Sequence, residues 1–121
     1  MTWAQVHERH RLARDVLRQV EQQDDAGAVK SSIEEIASTF GSFDLFLKHL
    51  EHIWTLETHV RIDFAIERGT GDDSTRICEL VAHQEPGIRL LLEEYSDHPA
   101  LRDSPVTRAL VRITTRTNSR P

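Results

Sequence analysis

Histidine and carboxylate side chains recur along one stretch of the chain at spacings that could bind a metal. The sequence of 121 residues contains seven histidines, and His49, His52, His59 and Asp63 follow one another at intervals of 3, 7 and 4. On a helix these intervals place the four side chains along one flank. Because helical bundles hold iron or zinc with such ligands, one hypothesis is a bundle that binds iron, zinc or haem. The Glu-x-x-His motifs of ferritin-like di-iron proteins are absent from the sequence.

Three of the predicted helices each carry one polar residue in an otherwise apolar stripe: His10, Glu57 and Gln84. In the third helix Glu57 interrupts a stripe formed by Leu50, Ile53, Val60 and Phe64. Burying an unpaired neutral polar group costs about 2 to 7 kcal/mol, so each of the three needs a partner. We therefore predict that they meet in a buried polar network built on a hydrogen bond from His10 to Glu57. Two alternatives are that one or more of them is exposed, or that they form a functional site.

The first helix has a clear start signal. Thr2 followed by Gln5 is a capping box, which predicts a helix from about residue 3 to 22. Its apolar stripe has one missing member, at His10, and consists of Trp3, Val6, Ala13, Leu17 and Val20. A similar box, Ser32 with Glu35, predicts a second helix that stops at Gly41.

A long third helix, with Ser42 as its cap, is predicted from Phe43 to about Arg68, where Gly69 can end it. Residues 60–66 also alternate apolar and polar as a strand does, and their best partner would be residues 110–115. We favour the helix, because no turn residue separates this run from the helical pattern before it. The strand pairing stays open as an alternative.

The remaining start signals predict three more helices. Asp73 or Ser74 can cap a fourth helix, Pro86 suits the first turn of a fifth, and Ser104 with the proline after it can start a last one. Together these signals predict an all-α compact bundle of about five or six helices with one long central helix. Residues 1–115 are expected to form a single domain and residues 116–121 a disordered tail.

The stretch FGSFDLFLKHLEHIWTLETHVRIDFAIE, followed by AHQEPGIRLLLEEYSDHPAL, resembles uncharacterised small all-helical proteins of actinobacteria. The resemblance extends over about residues 1 to 103. It implies a helical fold, and it implies neither an activity nor the role of any residue.

Composition excludes several classes of function. A net charge of −5 argues against nucleic-acid binding, which relies on lysine and arginine. The N-terminus lacks the apolar run of a signal peptide, and no membrane-spanning stretch occurs. The only cysteine, Cys78, cannot form an internal disulfide. These features predict a soluble, cytoplasmic protein that does not act at membranes.

No catalytic motif is recognisable, so no catalytic residue is predicted and an enzyme is the less favoured reading. The leading hypothesis is a small binding or regulatory module that acts through a protein partner or as a homodimer, without a cofactor. Leu47 and Trp54 on the long helix are the predicted interface. The alternative is the metal- or haem-binding bundle described above.

Overall fold

The computed structural model describes residues 2–69 and 74–110. All regular structure in this part of the chain is helical. In chain order the elements are α1 (Trp3–Gln23), a 3-10 helix (Ala26–Ser32), α2 (Ile33–Phe40), α3 (Phe43–Arg68), α4 (Ser74–Gln84) and α5 (Pro86–Glu94). Residues 105–110 are helical as well. The predicted all-α fold with one long helix is therefore confirmed.

The caps of α1 and α3 form as their sequence signals predict. The Thr2 hydroxyl accepts a hydrogen bond from the Gln5 amide at 3.2 Å, and the Gln5 side chain accepts one from the Thr2 amide at 2.9 Å. At the start of α3 the Ser42 hydroxyl accepts from the amide of Leu45 at 3.1 Å. Gly69 ends α3 with a positive φ of 66°, a conformation that glycine adopts without steric cost.

Residues 60–66 lie within α3, so the strand alternative is wrong for this segment. A helix continues here because no proline or glycine interrupts the chain between Phe43 and Arg68, and Gly69 then ends the helix. The proposed strand partner, apart from Leu110, lies outside the described residues, as do the predicted tail at 116–121 and the possible cap Asp73.

The second capping box does not form. Ser32 has φ −113° and ψ 5°, and its side chain makes no capping hydrogen bond. A capping residue needs an extended backbone to turn its side chain toward the helix, and here the 3-10 helix runs directly into α2. The Ser32 to Glu35 prediction is therefore wrong, although α2 itself is present.

The helices pack around one apolar core. The α1 helix packs against α2, α5 and the 3-10 helix, while α3 packs against α2, α4 and α5. The fully buried side chains include Val20, Val29, Ile36, Phe46, Leu50, Leu91, Leu92 and Leu101. Leu47 and Trp54 belong to the same core, with only 0% and 2% of their surface exposed. The predicted interface through these two residues is therefore wrong, because they face the protein's own helices.

Close contact between α1 and α5 depends on Gly87. A Cβ atom at this position would lie 3.0 Å from the Leu17 carbonyl oxygen and 3.1 Å from Cγ of Glu21. The Gly87 amide donates a hydrogen bond to Oε1 of Glu21 at 3.3 Å. This contact fixes the first turn of α5 on α1 and sets the position of the residues just before it.

No helix in the described part of the chain has both the length and the apolar character needed to cross a membrane.

Candidate binding groove on helix α3

The buried face of α3 ends at Thr58, before the last ten residues of the helix. Its buried residues are Phe46, Leu47, Leu50, Trp54 and Thr58. Glu57, predicted to interrupt the core stripe, is half-buried at the edge of this face. All of α3 is described, and no residue after Thr58 is buried. The C-terminal part of the helix therefore extends beyond the core.

An apolar stripe lies on the exposed part of α3. Leu56, Val60 and Phe64, here called the α3 stripe, are spaced four residues apart and have 51%, 65% and 54% of their surface exposed. Residues four apart share one face of a helix. With neighbouring polar side chains they line an open depression of about 530 Å³, here called the α3 groove, whose other lining residues are Glu57, Arg61, Gln84 and Glu85.

Two carboxyl groups meet in the α3 groove. The pKa of Glu85 is raised to about 7, first by burial and then by the negative charge of Glu57 and a hydrogen bond between the two side chains. On α1, Glu21 raises the pKa of Glu85 further and Arg14 opposes the increase. The hydrogen bond requires a proton, which Glu85 retains up to about pH 7 because its pKa is raised.

The position of Glu85 follows from the junction between α4 and α5. Pro86 occupies the first position of α5, so Glu85 is at the position where a side chain often caps a helix, yet it makes no such bond. Glu21 accepts the hydrogen bond from the first turn of α5 instead. Sequence reasoning missed Glu85, and the signal that could have found it is an acidic residue directly before a helix-starting proline.

A second polar pair crosses the groove. Nη2 of Arg61 donates a hydrogen bond to Oε1 of Gln84, which ties the exposed half of α3 to the end of α4. At the far end of the stripe the Arg68 guanidinium lies 4.6 Å from the centre of the Phe64 ring. A cation over an aromatic face is favourable, and this contact orients the Phe64 ring.

The predicted network of His10, Glu57 and Gln84 is only partly assembled. Glu57 and Gln84 line the same groove, but His10 is exposed on α1 and is not one of its lining residues. The first turns of α1 extend past the core, as the exposure of Trp3 and Val6 indicates. The prediction that His10 bonds to Glu57 inside the core is therefore wrong.

His10 lies near His49 instead. The ring of His49 is half-buried, 5.3 Å from the Phe40 ring between their centres. Burial lowers the pKa of His49, and the charges of His52, His10 and Arg9 lower it further. Its Nε2 atom is buried and has no hydrogen-bond partner within residues 2–69 and 74–110. This group of side chains disfavours a positive charge on His49.

The four predicted metal ligands are not brought together. His49 and Asp63 are separated by about 21 Å along the helix axis, too far for one ion. In the described residues no group of three or more histidine, cysteine, aspartate or glutamate side chains could hold a metal. Sharing one flank of a helix is therefore not enough to form a metal site. Such a site needs ligands from facing helices at the same height along the bundle.

His59 lines a separate cavity of about 190 Å³ together with Cys78, Trp54 and Leu110. Burial raises the pKa of the Cys78 thiol, and the charge of Glu79 raises it further. A reactive cysteine needs a lowered pKa, so the raised pKa of Cys78 disfavours the reactive thiolate.

No protein-family model, curated protein or solved structure matches the chain. The geometry of the α3 groove is therefore the basis on which a function can be argued.

Proposed function

We propose that the protein is a non-enzymatic binding or regulatory module that acts through protein contacts made by the α3 groove. The observation that carries this proposal is the α3 stripe, in which three large apolar side chains lie exposed on one face of a helix. Contiguous exposed apolar surface is typical of sites that bind another protein.

The shape of the groove fits a helical partner. Leu56 and Phe64 are eight residues apart, which corresponds to about 12 Å or two helical turns. Apolar anchors at such intervals are how a helix and a hydrophobic groove recognise each other. A partner helix lying along α3 could cover all three members of the stripe at once.

The polar residues of the groove are bonded in pairs. Glu57 bonds to Glu85, and Arg61 bonds to Gln84. The residues that line the groove in the described part of the chain include no serine, threonine, cysteine or histidine. A hydroxyl or thiol nucleophile and an imidazole base are thus missing from this lining, and its two carboxyl groups are bonded to each other.

Site-specific photo-crosslinking in the producing cells tests the proposal. A benzophenone-bearing amino acid in place of Val60 is expected to give a discrete crosslinked protein species. The matched control is the same amino acid in place of Ile66, which is 72% exposed on the same helix but does not line the groove. We expect a strong product from position 60 and little from position 66. Equal labelling from both positions, or no product from position 60, would overturn the proposal.

A further inference from the structure

We propose that the occupant of the α3 groove is a second copy of this chain, with the two α3 helices antiparallel and related by a twofold axis near Val60. This inference rests on the proposed function and adds the identity of the partner. The apolar and charged residues of the groove both support it.

The α3 stripe is symmetric about its middle residue. Leu56 lies four residues before Val60 and Phe64 four residues after it. A twofold axis at Val60 therefore sets Leu56 of one copy opposite Phe64 of the other, and the two Val60 side chains opposite each other. A surface that pairs with itself in this way is the requirement for a closed homodimer. The larger phenylalanine then packs against leucine at both ends, while the smaller valines meet in the middle.

The charges beside the stripe are also self-complementary. Glu57 and Arg61 are four residues apart, lie on the same flank of α3 and line the same groove. A twofold axis near Val60 brings Glu57 of one copy to within about 3 Å, measured along the helix axis, of the level of Arg61 of the second copy. The symmetry repeats this pair, so the dimer would contain two opposite-charge contacts and would separate the two Glu57 side chains.

Arg61 can make this contact and keep its present bond. Its guanidinium uses Nη2 to donate to Gln84, and an arginine side chain has five N–H donors in all. The Gln84 bond holds the guanidinium at the groove, where it could reach a carboxylate of the second copy. Glu57, which bonds to another carboxyl group in the single chain, would gain a cation in the dimer.

Charge reversal tests the inference by sedimentation velocity. The unaltered protein is expected to be dimeric, and Val60→Asp should make it monomeric. Glu57→Arg and Arg61→Glu should each weaken the dimer by about tenfold or more, since like charges then face each other twice. Glu34→Arg, which reverses an exposed acid on α2, is the control and should leave the dimer intact. Circular dichroism establishes that each variant is folded.

Mixing the two single variants gives the decisive result. If Glu57 of one copy faces Arg61 of the other, a Glu57→Arg chain and an Arg61→Glu chain should pair with each other more tightly than either pairs with itself. We expect the mixture to form heterodimers, and the double variant to regain dimerisation.

A monomeric unaltered protein, or a dimer that survives Val60→Asp, would overturn the inference. So would single variants that dissociate but do not pair when mixed. The proposed function fails separately: a crosslink from position 60 to a different protein would keep the proposed function and exclude the second copy as its partner.

Discussion

Replacing Glu85 with glutamine should change how the stability of the protein depends on pH. In the folded protein the pKa of Glu85 is about 7, whereas the ordinary value for a glutamate is 4.5. Between these two values the folded chain holds a proton that the unfolded chain releases. The free energy of unfolding should therefore fall as pH rises from about 4.5 to about 7, because stability decreases with pH wherever the folded state binds more protons. Glutamine cannot titrate, so Glu85→Gln should remove this contribution.

The size of the effect follows from the pKa and from the exposure of the site. If the site were closed to solvent, the difference in pKa would correspond to about 3 kcal/mol. In the monomer the α3 groove is open, so water reduces both the effect of burial and the interaction between Glu57 and Glu85, and we expect about 1 kcal/mol. Glutamine keeps the size of the side chain and can still donate a hydrogen bond to Glu57, which leaves the contact intact while the repulsion between carboxylates is lost.

Urea unfolding followed by circular dichroism at pH 5 and pH 8, at one protein concentration, measures the effect. His49 acts in the opposite direction: its pKa is lowered in the folded protein, so its contribution to stability is lost as pH falls below its ordinary value of 6.5. His49 is present in both proteins, and its contribution cancels when they are compared. We expect the variant to gain about 1 kcal/mol relative to the unaltered protein between pH 5 and pH 8. Two parallel pH curves would show that Glu57 and Glu85 do not share a proton.

Two further substitutions test the packing. Gly87→Ala should destabilise the protein by about 1 to 3 kcal/mol, since the new methyl group would lie 3.0 Å from the Leu17 carbonyl oxygen and force α1 and α5 apart. An unchanged midpoint of urea unfolding would show that α1 and α5 can move apart without cost. Trp54→Ala should cost about 3 to 5 kcal/mol by the same measurement, because the ring is buried in the core. If Trp54→Ala instead dissociated the dimer and left the urea midpoint unchanged, Trp54 would have to lie at the dimer interface.

The ends of the helices could be predicted from the sequence because they depend on local chemistry. Each capping residue bonds to backbone groups within one turn of the helix end that it caps, as do Thr2 with Gln5, Ser42 and Gly69. Pro86 likewise begins α5 through its own ring geometry. The failed box at Ser32 shows the limit of such reasoning, since the 3-10 helix before it changed the backbone on which the cap depends.

The partners of the polar residues could not be predicted in the same way. Whether Glu57 is buried depends on how α3 is rotated against its neighbours, and a change of one residue turns a helix by about 100 degrees. The buried face passes through Trp54 and Thr58, so Glu57 is displaced to the edge. Its neighbour Glu85 comes from a distant part of the chain, and only the packing of α5 on α1 through Gly87 brings it there.

The periodic pattern of α3 contains two separate apolar faces. The buried face of the first half includes Leu50 and Trp54, and the exposed stripe of the second half includes Val60 and Phe64. A sequence reading that joins Leu50 to Val60 and Phe64 merges the two faces and makes Glu57 an intruder in the core. Once the faces are separated, Glu57 lies at the boundary between them. Apolar periodicity indicates that a face needs covering, but it does not indicate which chain covers it. The first face is covered by the protein's own helices, and the second is the surface that we assign to another copy.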